Sequence, residues 1–191
     1  MKKYVLLTIF SILFLFKVIA QSNPIMGYDI VTWGSSIQQV RNAYNIGNEI
    51  VTASFENDPN IIQITQKNVS ESIKARHFMF IENKLFRVKV EYINANDDAT
   101  QNLFNILESS FGNRTRYNTQ TTLGMADRTE WKTETSTFGQ YLPELVIELI
   151  HRVFYSKNVR NTNDLAKINS LYIQYTWQSF YLNYEASKFG L

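Results

Sequence analysis

The chain of 191 residues has no cysteine, only two histidines, three prolines and seven glycines. Without cysteine there is no thiol catalysis, no thiolate metal site, no disulfide staple and no acylated cysteine to anchor the chain in lipid. His77 and His151 lie far apart and neither sits in an HExxH-type spacing, so a histidine zinc centre has no support. Trp33-Gly34-Ser35-Ser36 lacks the glycine spacing that cradles phosphate, and no G-x-S-x-G elbow occurs. Among 17 acidic residues no pair stands out as a glycosidase couple, and Asp97 with Asp98 suits a helix N-terminus instead. The sequence therefore points to no catalytic residue, no metal and no cofactor.

Excess charge of one sign is also missing. There are 19 basic and 17 acidic residues, and Lys2, Lys3 and Lys17 fall within the first twenty positions. The remainder balances at 16 − 17 = −1, with no basic cluster. That argues against nucleic acid and anionic lipid, both of which need concentrated positive charge. The one long apolar run, Tyr4–Phe16, is broken by Lys17 and falls short of the roughly 20 residues a spanning helix needs. Met1-Lys2-Lys3, that run, and Val18-Ile19-Ala20 have the order of a secretory leader cut after Ala20. The expectation is a signal peptide at 1–20 and a periplasmic or secreted protein, with no transmembrane helix in the part that remains. Residues 21–191 then form one domain, long enough to bury about 70% of its unfolded surface without disulfides.

Residues 21–34 read as an irregular lead-in. Ser35 or Ser36, with Gln38 or Gln39 three residues on, predicts a capped helix whose apolar face is Ile37, Val40 and Tyr44, ending near Gly47. Strands are predicted at 49–56 and 61–67, on either side of the turn Asn57-Asp58-Pro59-Asn60. A hairpin follows over 74–93. A second helix, capped between Asn96 and Asp98, carries the stripe Leu103, Ile106, Leu107 and Phe111 and stops at Gly112. Residues 128–134 alternate as a half-solvated strand. Leu145, Ile147, Leu149, Val153 and Tyr155 share strand parity, although Glu144, Glu148 and Arg152 also fit a helical face. Residues 156–167 read as loop, 171–177 as strand and 178–188 as helix. The order suggests an α+β fold of two α-then-antiparallel-β units, with halves at 33–93 and 96–191 and helices packed on a mainly antiparallel sheet.

Register in the 74–93 hairpin depends on its turn. A two-residue turn at Glu82-Asn83 or Asn83-Lys84 puts Ala75, His77, Met79 and Ile81 with Phe86, Val88, Val90 and Tyr92, and leaves Phe78 and Phe80 with Arg87 and Lys89. A three-residue turn exchanges the faces. Asn83 tolerates the left-handed backbone of the shorter turn, which is the one favoured here. His77 is accordingly a hydrogen-bonded core histidine or a surface one.

Aromatic residues are the positive signal. Trp131, Tyr172, Tyr175 and Trp177 fall on predicted strands, where rings either fill a core or line a groove. Arg87 and Lys89 are the candidate polar contacts and Trp131 and Trp177 the candidate aromatic anchors. Two resemblances rest on short motifs. Trp33-Gly34-Ser35 with Val40, then Phe80-Ile81-Glu82-Asn83-Lys84-Leu85, resembles small exported bacterial proteins of unassigned role, with Asn83 at their usual glycine; Trp131-Lys132-Thr133 and Leu171–Tyr175 are similar to later strands of that group. The helix-then-sheet order resembles the β-lactamase-inhibitor protein and BamE-type envelope lipoproteins, although the BamE cysteine is absent. Those resemblances imply a non-catalytic binding or assembly module of the cell envelope, its partner another envelope protein or a small ligand. The alternatives are an envelope glycan hydrolase with a carboxylate pair and a small-ligand carrier.

Overall fold

A computed structural model describes residues 26–47, 58–123, 129–138, 144–156 and 168–190. The leader 1–20, the expected strand at 49–56 and nearly all of the loop at 156–167 lie outside the described residues.

Nine strands and three helices are described. A two-residue-per-strand ribbon, β1 (Gly27–Tyr28) with β2 (Val31–Thr32), leads into α1 (Ile37–Tyr44). β3 (Ile61–Lys67), β4 (Ile73–Ile81) and β5 (Lys84–Tyr92) precede α2 (Asp97–Phe111). β6 (Arg116–Leu123), β7 (Thr129–Phe138), β8 (Leu145–Ser156) and β9 (Ile168–Trp177) follow, and α3 (Gln178–Lys188) closes the order. The sheet is antiparallel throughout, in the order β3-β4-β5-β9-β8-β7-β6.

This order corrects the expected α+β fold of two units. The protein is mostly one large antiparallel sheet of seven strands, with a separate two-stranded ribbon and few helices. The physical reason is β9. It pairs with β5 through Arg87–Tyr92 and with β8 through Leu145–Phe154, so the strands expected in separate units share one hydrogen-bonded ladder. β6, which carries few apolar residues, had no strand signal in the sequence. It is nevertheless paired with β7 along its whole length.

The helices start where capping chemistry dictates. Ser36 caps α1, accepting from the Gln39 N–H at 3.3 Å while the Gln39 side chain accepts from the Ser36 N–H at 2.8 Å. Asn96 caps α2 through the Ala99 N–H at 2.8 Å, with Asp97 and Asp98 in the favourable first turn. α1 and the ribbon cover one end of the front sheet face, burying Val40, Tyr44, Ile64, Phe78, Phe80, Leu85 and Val88. α2 covers the other end, over Phe138, Leu145, Ile147, Leu149 and Leu171. Leu107 of the expected stripe is buried, but Ile106 is 58% exposed.

The β4–β5 hairpin combines features of both sequence alternatives. Its turn has two residues, Glu82 and Asn83, both left-handed at φ 51° and 62°. Phe80 pairs with Leu85, yet Met79 pairs with Arg87, so a bulge at Phe86 shifts the rest of the strand by one position. The expected face partition is therefore corrected. Phe78 and Phe80 join Leu85, Val88 and Val90 in the front core. Met79, Ile81 and Phe86 face the back, under Phe180, Tyr181 and Tyr184 of α3. Alternation alone puts Phe86 on the face opposite Leu85; the bulge leaves Phe86 and Arg87 both on the back and so returns Val88 and Val90 to the front, beside Phe78 and Phe80.

Candidate binding cleft

Between the ribbon and α2 the front face is not filled. The two core clusters meet there over Tyr92 and Tyr175, which pack partly against both. A cleft of about 960 Å³ opens above them. Its floor is Tyr92, Ile173 and Tyr175; the ribbon supplies Gly27, Tyr28 and Asp29, α2 supplies Leu103, Ile106, Leu107 and Phe111, and Arg76 enters from β4. Strand parity explains the floor. Arg76 pairs with Val90, Val88 with Tyr175 and Val90 with Ile173, so all of these point forward.

Three tyrosines gather in this cleft. The Tyr28 and Tyr175 rings lie 5.2 Å apart at a tilted angle. Burial raises the hydroxyl pKa of Tyr28 and Tyr175, and pushes that of Tyr92 up to about 12. All three are therefore neutral phenols at physiological pH, able to donate a hydrogen bond. Arg76 stacks against the rings of Tyr44 at 5.3 Å and Tyr28 at 5.9 Å. It also hydrogen-bonds the Tyr28 hydroxyl, and lies 3.4 Å from Gln66 Oε1 and 3.9 Å from Asp29 Oδ2. Its Nε is buried with no hydrogen-bond partner among the described residues. An unpaired buried donor of this kind costs about 1–3 kcal/mol in the folded state.

The ribbon wall is held by α1. The Tyr44 hydroxyl lies 3.3 Å from both the Tyr28 carbonyl oxygen and Asp29 Oδ2, so it can donate to either. The close ribbon has no room for a side chain at Gly27, where an added Cβ would meet the Val31 carbonyl oxygen at 2.0 Å.

A smaller hollow of about 410 Å³ lies on the far side of α2, lined by Asp97, Arg114, Tyr117, Glu134 and His151 among others. It holds two carboxylates, the minimum for glycan hydrolysis. Lys132 at 2.6 Å holds the Glu134 carboxyl below the usual range, the opposite of what a general acid requires. In the larger cleft, Asp29 is the one carboxylate in the lining among the described residues.

The residues expected to make contacts lie elsewhere. Arg87 is buried beneath α3, donating to Thr176 Oγ1 at 3.1 Å and stacking on Tyr181 at 4.8 Å. Lys89 is also buried on the back face, its Nζ 3.9 Å from the Tyr172 ring centroid. Trp177 stacks on Phe180 at 4.8 Å and lies over Gly34. Trp131 occupies β7 opposite Thr122 and Phe154, and its side chain lies outside the described residues. His77 is partly buried on the back face, with Thr65 Oγ1 at 3.0 Å and Glu91 at 3.5 Å. Arg76 and Tyr28 were missed because neither stands in a motif. Tyr28 lies in what reads as lead-in, and Arg76 becomes notable only when Tyr28 and Tyr44 close on it.

Among the described residues no group of three or more histidines and carboxylates could hold a metal, and no helix is long and apolar enough to cross a membrane. Comparison with protein families, curated proteins and solved structures finds no match to this chain.

Proposed function

We propose that the protein is exported and acts without catalysis, as a binding module whose ligand occupies the cleft between the β1–β2 ribbon and α2. Export rests on the leader pattern of residues 1–20. The binding role rests on one observation: Arg76, with its unpaired Nε, lines one cleft together with three neutral tyrosines and an apolar wall. Concave, mostly apolar sites with a few converging polar groups are the usual form of a ligand pocket. That shape favours a small molecule or a single inserted side chain over a flat protein contact, and so favours the carrier form of the binding role.

Fractionation and hydrogen exchange test both parts. Protein recovered from its producing cells should lie outside the cytosol and begin at Gln21. Incubation with an extract of those cells should slow amide exchange in Gly27–Thr32 and in the second half of α2. A cytosolic pool retaining Met1 would remove the export claim, and unchanged exchange in both segments would remove the binding site.

A further inference from the structure

We infer that the cleft takes a carboxylic acid with an apolar body, its carboxylate at Arg76 and the tyrosine hydroxyls, and its chain along α2. This rests on the binding role just proposed and adds the chemical class of the ligand.

Apart from the Asp29 carboxylate, every polar side chain of the lining can donate, Ser109 and Ser110 included. Arg76 brings a cation, and Tyr28, Tyr92 and Tyr175 bring phenolic hydroxyls. Such a set selects an acceptor-rich, negatively charged group. Arg76 is also preorganised, because the Tyr28 and Tyr44 rings lie against its guanidinium, while its ion pair with Asp29 is long at 3.9 Å. Asp29, 3.9 Å away and 46% exposed, sets the size of the charge. Its carboxylate offsets part of the arginine field, so a single negative charge is accommodated and a dianion is opposed. Carboxylate therefore fits better than a phosphate monoester.

The rest of the cleft specifies the body. Ile106 is 58% exposed on α2 yet lines the cleft. Leu107 and Ile173 continue the apolar surface inward. Ile106 keeps apolar surface in water that an alkyl or aryl body would cover.

Calorimetric titration of the purified protein at pH 8 with decanoate, decan-1-ol and decyl phosphate tests this. Decanoate should bind at least about tenfold more tightly than decan-1-ol, and more tightly than decyl phosphate. Arg76→Gln should erase the preference for decanoate while leaving the alcohol's affinity nearly unchanged. Ile106→Asp, at an exposed position that folding does not need, should weaken all of them. Equal binding of acid and alcohol, or a preference that survives Arg76→Gln, would overturn the assignment. Tighter binding of decyl phosphate would overturn the carboxylate in particular. If cell extract protects the ribbon and α2 but decanoate does not bind, the ligand class fails and the binding role stands. If neither occurs, both fail.

Discussion

Met79 lies opposite Arg87 across the β4–β5 hairpin, one position beyond where its two-residue turn alone would pair it. This offset leaves Phe86 and Arg87 together on the back face, where Phe86 is fully buried under α3 and stacks on Tyr181 at 5.4 Å. Truncation by Phe86→Ala should cost about 3–5 kcal/mol of stability in urea unfolding. Exchange should rise most in α3. If α3 keeps its protection, Phe86 does not dock it.

The turn itself separates two roles. Glu82 sits at φ 51° with no feature that suits a left-handed residue, which costs roughly 1–2 kcal/mol. Glu82→Gly should stabilise the protein by about 1 kcal/mol. Asn83, also left-handed, additionally accepts from the Ile37 N–H at 3.0 Å, supporting the start of α1. Asn83→Gly should therefore lose about 0.5–1.5 kcal/mol despite suiting the turn. Thermal unfolding of the two variants should shift in opposite directions.

Much of the helical content was readable because its signals are local. Ser36 with Gln39, Asn96 with Asp97, and Gly112 act within a few residues, and the closing helix at 178–188 matches its sequence pattern. The hairpin register was not readable. Turn chemistry at Asn83 favoured two residues correctly, but no local signal marks the bulge at Phe86, whose effect is to set Val88 and Val90 in the front core with Tyr44 and Phe78. The overall fold failed for a similar reason. Nothing local in Leu171–Thr176 says that this strand inserts between β5 and β8. The cleft is a third case, since Tyr28, Arg76, Tyr92 and Tyr175 come from four segments and share no motif.

Acid should release α3 in a defined range. Lys188, the Asn60 N–H and the Tyr184 hydroxyl hold the Asp58 carboxyl down at about 2. A carboxyl depressed in the folded state contributes its stability above the unfolded value of about 3.9, and loses it as pH falls through the folded value. Exchange in α3 should therefore rise between about pH 4 and pH 2. Asp58→Asn should raise that exchange at neutral pH and flatten its acid dependence.

His77 gives a second, separate pH range. Burial lowers its pKa more than the neighbouring Glu91 raises it, with Lys89 and Lys74 adding to the lowering. The unfolded chain thus takes up this proton first as pH falls. The contribution of neutral His77 is complete above about pH 6.5 and declines below it. Urea midpoints should drop as pH falls from about 6.5, and His77→Gln should remove that drop without changing the one set by Asp58.

Tyr44 connects core to cleft. Tyr44→Phe keeps the ring against Phe78, at 4.8 Å, and removes only the hydroxyl that reaches Tyr28 and Asp29. Stability should fall by about 0.5–1.5 kcal/mol. Exchange should rise in Gly27–Thr32 while α2 stays unchanged. Equal effects on both walls would mean that the ribbon is not held separately.

The cleft itself is tested most directly by NMR of protein with isotope-labelled tyrosine rings, titrated with decanoate. Resonances of Tyr28, Tyr92 and Tyr175 should move together and saturate, while Tyr117 in the smaller hollow and Tyr184 on α3 stay fixed. Movement at Tyr117 or Tyr184, with those three unchanged, would contradict the cleft as the binding site.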